Sequence, residues 1–259
     1  MFRNREAFRI VKDAYIKSKL MRIVITSGPS YEPLDKARRL SNFSTGELGT
    51  LLAEGFSAAG HSVVCFRGVA STFPPPLWPV EVIPFTTNDN LAAGLQALPA
   101  REEATIVLHA AALCDFKVRE IVDEKGDPVH GDKVSSRAGA LRLTLEPAPK
   151  LIASLRGMFP SSILVGWKYE LDGTADDVIA RGRRQMDDCL TDACVLNGHA
   201  YGLGFGFISR SGERFHLPDK AALCRFLIEW AERTPAALTA PGQQSFHALS
   251  SFTSLSPFI

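Results

Sequence analysis

MRIVITSGPSYEPLDKARRLSNFSTGELG (residues 21–49) begins with a β-branched apolar run, MRIVIT (21–26), that stops abruptly at Ser27-Gly28-Pro29-Ser30. Such a run, ended by turn residues, predicts a buried parallel strand with a loop at its carboxyl end. A long polar connection follows. From Thr45 to Gly60, Leu48, Leu51, Leu52, Gly55, Phe56 and Ala59 fall on one helical face, and Gly60 supplies the stop.

The pattern continues outward from that stretch. SVVCF (62–66), VEVIPF (80–85) and TIVLHA (105–110) are further strands, with a helix over 89–98 capped by Thr87, Asn88 or Asp89. Residues 111–140 break the rhythm: they mix both charge signs around Lys125-Gly126-Asp127-Pro128 and Gly131-Asp132-Lys133, which predicts a long loop or β-flap. Then come LRLTLEP (141–147) as a half-buried strand, a short helix over 149–158, the strand SILVGW (162–167), a helix over 175–187 and the strand ACVLN (193–197). A hairpin over 205–217 turning at Ser211-Gly212 and a closing helix over 219–231 complete the series. The fold class is α/β: a Rossmann-like, doubly wound, mostly parallel sheet with a long flap and a C-terminal hairpin.

Three segments divide the 259 residues: an amphipathic extension (1–20), one domain (21–233) and a mobile tail (234–259) without a single charged residue. The extension reads as a helix docked on the domain or on a second subunit, and Met21 is an alternative start. With 29 Lys plus Arg against 28 Asp plus Glu, no global field exists to hold nucleic acid. No apolar run approaches the roughly 20 residues of a membrane span. Five scattered cysteines without a CxxC pair point to a reducing, cytoplasmic setting.

Ligands of such sheets bind beyond the carboxyl ends of the strands. Gly28 lies in the loop after the first strand, and Ser44, Thr45 and Gly46 open a helix whose free N–H groups suit an anion, although such helix starts also occur without a ligand. Asp35, Lys36, Arg38, Arg39 and Asn42 concentrate charge and amides beside them. After the fourth strand, Ala110, Ala111 and Ala112 permit close approach of a planar group. Asp115 could accept from a ribose or base, coordinate Mg²⁺ or pair with a nearby Arg, and Phe116 follows it. Cys114 and His109 read as a buried thiol and a core histidine.

Residues 25–49, ITSGPSYEPLDKARRLSNFSTGELG, resemble the opening motif ITxGPTxEPLDxVRxISNxSSGxMG of the phosphopantothenate–cysteine ligase family. Ala111-Ala112-Leu113-Cys114-Asp115-Phe116 is similar to its AAVADF segment, Lys133-Val134-Ser135-Ser136 to its KxKK strap, VGWKYEL (165–171) to VGFxAET and DACVLN (192–197) to DxIVAN. The resemblance covers about 21–230 and implies a ligase without flavin, joining 4′-phosphopantothenate to L-cysteine through an acyl-nucleotide. It implies CTP or ATP as co-substrate, Mg²⁺ and a homodimer. By the same resemblance Arg38 is the motif arginine, Asn42 holds the acyl-nucleotide's carbonyl region and Lys133 serves the cysteine step. Ala111, Asp115, Phe116, Trp167 and Asn197 lie beside the nucleotide, with Trp167 in place of a phenylalanine. No metal ligand is assigned.

Ser135, Ser136 and Glu47 stand where the family carries lysines, and Lys117, Lys150, Lys168, Arg183 and Arg184 are the candidates to replace that charge. The rival readings are a homologue that binds a nucleotide or phosphorylated ligand without ligation, and an NAD(P)-dependent reductase. The absent GxGxxG counts against the reductase.

Overall fold

The computed structural model describes residues 20–129, 131–135 and 139–234, so the expectations for the two ends fall almost wholly outside it. β1 (Arg22–Ser27) leads through a small hairpin, β2 (Tyr31–Pro33) and β3 (Arg39–Ser41), into α1 (Glu47–Ala58). Then follow β4 (Ser62–Gly68), β5 (Glu81–Phe85), α2 (Asn88–Gln96) and β6 (Ala104–His109). β7 (Phe116–Val122) and β8 (Arg142–Pro147) form an antiparallel ribbon. A 3₁₀ turn (Leu151–Ser154) and α3 (Leu155–Met158) precede β9 (Ile163–Tyr169), α4 (Ala175–Cys189) and β10 (Ala193–Asn197). The hairpin of β11 (Phe205–Ser209) and β12 (Arg214–Leu217) then hands over to α5 (Lys220–Arg233).

The main sheet has the order β12-β11-β10-β9-β6-β1-β4-β5. Its strands from β5 to β10 pair in parallel, and the hairpin adds two antiparallel strands at one edge. The doubly wound expectation therefore holds, hairpin included. Because the chain winds outward from β1 to β5 and then returns to β6, the order reverses between β1 and β6.

Alternate residues of each strand feed opposite layers, as the pleat requires. Ile23, Ile25, Cys65, Ile106, Leu108, Val165, Val195 and Phe207 face α1 and α5, whose Leu52, Phe56, Leu223, Leu227 and Trp230 complete that core. Val24, Val64, Phe66, Val107 and Leu164 face the other way, onto Leu91 and Leu95 of α2 and Leu155 of α3. Val178, Ile179 and Met186 of α4 cover Cys194, Leu196 and Ile208. Each such fully buried side chain contributes about 1.5–3 kcal/mol over leaving it exposed. All five cysteines are buried and unpaired, with burial pushing the thiols of Cys65, Cys194 and Cys224 up to about 12.

Three local expectations are corrected. Helix α1 begins at Glu47, and its N-cap is Gly46 in a left-handed conformation (φ 79°), where Ser44 or Thr45 had been the expected type. Glycine wins because that φ strains any residue with a Cβ; Thr45 contributes its Oγ1 as acceptor for the Glu47 N–H at 3.3 Å. The LRLTLEP strand is not half-buried: all six residues of β8 are exposed, because it forms the second arm of the flap and lies outside the main sheet. The polar connection after β1 also contains the unforeseen hairpin β2–β3.

Candidate active site

At the reversal point the two strand ends do not splay apart. Beyond β1 and β6 their loops keep pairing: Ala110 N–H donates to Thr26 O (3.1 Å), Ala112 N–H to Gly28 O (2.9 Å) and Ser30 N–H to Ala112 O (3.2 Å). Side chains extend this wall. Ser30 Oγ accepts from Cys114 N–H (2.8 Å), and Asn42 Nδ2 donates to Leu113 O (2.9 Å). Asn88 Nδ2 donates to Cys114 O (2.8 Å). Gly28, Asn42, Ala111 and the approach to Asp115 are thus brought together.

Buried titratable groups in this wall are neutral. His109 Nδ1 shares a 2.8 Å hydrogen bond with Thr26 Oγ1, and complete burial pushes its pKa down to about 4. Burial also raises the Cys114 thiol, so neither group is poised as a nucleophile or base.

Helix α1 starts against the end of β1. A Cβ on Gly49 would sit 2.1 Å from Ser27 Oγ, so only glycine allows this approach. Gly28 and Gly46 both face Ser71, whose buried Oγ has no partner among the described residues. In the first turn, the Glu47 carboxylate accepts from Lys220 of α5, which returns a cation to the helix start.

Three other cations in the region are paired. Lys150 is paired with Asp115, Lys117 with Asp89 (2.6 Å) and Lys168 with Glu170 (3.1 Å). Glu170 also accepts from Arg181 at 2.5 Å; burial pushes its pKa up, but the two cations outweigh that and the net shift is downward. Phe116 stands half-exposed at the start of the ribbon. Farther along the same edge lie Trp167 of β9 and Asn197 of β10, two residues past the Val195–Trp167 pairing. Trp167 Nε1 and Asn197 Oδ1 are buried without a hydrogen-bond partner among the described residues. One unused donor and one unused acceptor fit the polar edge of a planar heterocycle.

Arg38 and Lys133, expected at the reacting groups, are placed differently from each other. Arg38 donates to the Asp35 carboxylate and, through Nη2, to Val134 O at 2.6 Å. Lys133 is exposed in the strap beside it. Asp35, in the charged loop, has a side chain just 1% exposed. The Arg38 guanidinium holds its carboxyl well below the usual carboxylate range, helped by the Ala37 and Val134 N–H groups. An open depression of ≈ 630 Å³ borders Asp35 and Arg38. A second, of ≈ 790 Å³ between β2 and the ribbon, contains none of the expected site residues.

Among the described residues no group of three or more His, Cys, Asp or Glu side chains could hold a metal, and Asp115 is committed to Lys150. No helix among those residues is long and apolar enough to cross a membrane.

The chain is similar to several known proteins. "Coenzyme A biosynthesis bifunctional protein CoaBC" of Thermococcus kodakarensis is 27% identical over 194 residues, covering 73% of this chain and 44% of that protein. "Phosphopantothenate--cysteine ligase" of Homo sapiens is 27% identical over 229 residues, 68% of this chain and 71% of that protein. The chain spans less than half the length of the first curated relatives it matches. The solved "DNA/Pantothenate Metabolism Flavoprotein from Streptococcus pneumoniae" superposes with a TM-score of 0.71 at 22% identity, over 81% of this chain and 97% of that one, and shares the fold. The model of the DNA/pantothenate metabolism flavoprotein C-terminal domain matches residues 19–221, ending in the first turn of α5. From the doubly wound order through the paired crevice loops to that match, the chain belongs to this family.

Proposed function

We propose that this protein is a ligase that joins 4′-phosphopantothenate to L-cysteine in coenzyme A biosynthesis. The observation that carries the reading is the crevice between β1 and β6: it holds Asn42 against Leu113 O and sets the Lys133 strap beside Arg38, in a chain similar to a human protein named for that activity. The co-substrate is a nucleoside triphosphate, CTP or ATP, delivered with Mg²⁺.

The reaction has two steps. A carboxylate oxygen of 4′-phosphopantothenate attacks the α-phosphorus and pyrophosphate leaves; the cysteine amine then attacks the acyl carbon, the nucleoside monophosphate leaves and the amine loses a proton. Magnesium, when bound, shields the triphosphate's charge. The chain's own residues do the rest. Gly28, Ser44, Thr45 and Gly46 present backbone at the α1 start to an anionic group, with Lys220 offsetting Glu47. Ala111 offers a flat wall to the nucleotide and Phe116 flanks it, while Asp115, held by Lys150, takes a ribose hydroxyl. Trp167 Nε1 and Asn197 Oδ1 receive the base edge. Asn42 orients the acyl group, Arg38 steadies the mouth of the site, and Lys133 supplies charge when cysteine attacks.

The same reading places the enzyme in the cytoplasm as a homodimer. The exposed Leu143 and Leu145 of the ribbon supply apolar surface for such pairing. The test is pyrophosphate release with 4′-phosphopantothenate and each nucleotide, with and without cysteine. Release that needs 4′-phosphopantothenate supports the ligase; binding of nucleotide without release identifies a non-catalytic homologue instead.

A further inference from the structure

The strap is gripped at two points, one on each side of Lys133. On one side, Lys36 N–H donates to Asp132 O (2.9 Å) and Lys36 Nζ pairs with Asp132 (2.7 Å). On the other, Val134 is held by both of its backbone groups: its N–H donates to Asp35 Oδ2 (3.1 Å), and its carbonyl accepts from Arg38 Nη2 (2.6 Å). Asp35 and Arg38 thus do with side chains what a neighbouring strand does with its backbone. Val134 is buried as a result, although it lies between exposed residues.

Asp35 is the centre of this grip. Its Oδ1 accepts from Ala37 N–H and Arg38 N–H, both at 2.8 Å, closing the local turn. Its Oδ2 accepts from Arg38 Nε (3.0 Å), Arg38 Nη2 (2.5 Å) and Val134 N–H (3.1 Å). Five donors converge on one carboxylate in a side chain that is 1% exposed, on a loop whose neighbours face solvent. Charge-assisted bonds of this kind are stronger than neutral ones and fix geometry. A turn needs only the Oδ1 bonds; those at Oδ2 also tie it to a segment 99 residues away.

We propose that Asp35 is a positioning residue: through Arg38 and Val134 it holds the strap so that Lys133 meets the acyl-nucleotide when cysteine attacks. The proposal rests on the ligase reading for its chemistry, but the grip itself does not. An amide at this position would turn an NH₂ group toward donors, so Asp35→Asn keeps the size of the side chain and removes the grip.

The experiment uses the purified full chain in four forms: unaltered, Asp35→Asn, Lys133→Gln and the double variant. Single-turnover reactions separate acyl-nucleotide formation from transfer to cysteine, and amide exchange at Val134 reads the grip directly. In Asp35→Asn the transfer step slows about tenfold or more, while acyl-nucleotide formation changes by less than about threefold. The double variant transfers no more slowly, within about twofold, than Lys133→Gln alone, because both changes act through one lysine. Val134 exchange rises at least about tenfold in Asp35→Asn and again in Asp35→Ala. Unchanged exchange in both variants, equal slowing of both steps, or multiplying effects in the double variant would overturn the proposal. If the unaltered chain releases no pyrophosphate with either nucleotide, the ligase reading fails, and Val134 exchange still decides whether Asp35 holds the strap.

Discussion

The crevice wall and the ribbon both leave the end of β6, and they are built in opposite ways. The wall continues the sheet's own hydrogen bonding past the strand ends and is backed by fully buried Leu108, Val107 and Ile25. The ribbon is a two-stranded antiparallel pair, and every residue of its β8 arm is exposed. An isolated pair of strands is marginally stable in water, whereas the wall opens only with the core. Asn42, proposed to orient the acyl group, is on the wall side. The group expected to act late, Lys133, is on the ribbon side, where the side chains of Asp35 and Arg38, and not a continued sheet, hold its segment at Val134.

The sharpest way to break this contrast is at the wall. Asn42→Asp replaces the donor facing Leu113 O with a carboxylate, and pyrophosphate release in steady state is expected to fall at least about 10³-fold, about 4 kcal/mol. Next comes Leu108→Ala in β6, expected to cost about 3 kcal/mol in denaturant unfolding, because a side chain 1% exposed leaves a cavity. Stability should also depend on His109. Its folded pKa is about 4, below the ordinary 6.5, so the unfolded chain binds a proton that the folded one refuses. Stability therefore falls as pH drops from about 6.5 toward 4, by about 3 kcal/mol at full effect, and the loss should be absent in His109→Gln.

On the ribbon side the effects shrink. Lys133→Gln is expected to slow transfer to cysteine about 30-fold, about 2 kcal/mol, with acyl-nucleotide formation still measurable in a quenched single turnover. Leu145→Ala, at a residue 42% exposed, should change unfolding free energy by less than about 0.5 kcal/mol. A cost for Leu145→Ala as large as that for Leu108→Ala would erase the distinction between wall and ribbon.

Most of the scaffold was legible because parallel strands buried on both faces are continuous apolar runs, such as RIVITS and ATIVLH. The hairpin at Ser211-Gly212 was legible from its turn chemistry. Two three-residue strands, YEP and RLS, offer too little periodicity to be seen. The alternation of LRLTLEP is real, but alternation cannot say whether another layer covers the apolar side. Of the candidate site, the residues nameable from sequence are those clustered by short spacing, from Gly28 to Gly46 and from Ala111 to Phe116, because each cluster lies in one loop region. The grip on Val134 and the Glu47–Lys220 pair join residues 99 and 173 positions apart, and only the folded chain brings them together. The one local signal for the grip was an acid and an arginine at i and i+3, Asp35 and Arg38.

Helix α5 has a practical consequence for anyone who trims this protein for expression. A fragment ended at residue 221, where the family match stops, would lose Leu223, Leu227 and Trp230 and uncover Phe207, which lies edge-on to Trp230 and Phe226. Such a fragment trades a closed core for an apolar face and leaves Lys220, the partner of Glu47, on a frayed end. Expression boundaries should therefore run to at least Arg233.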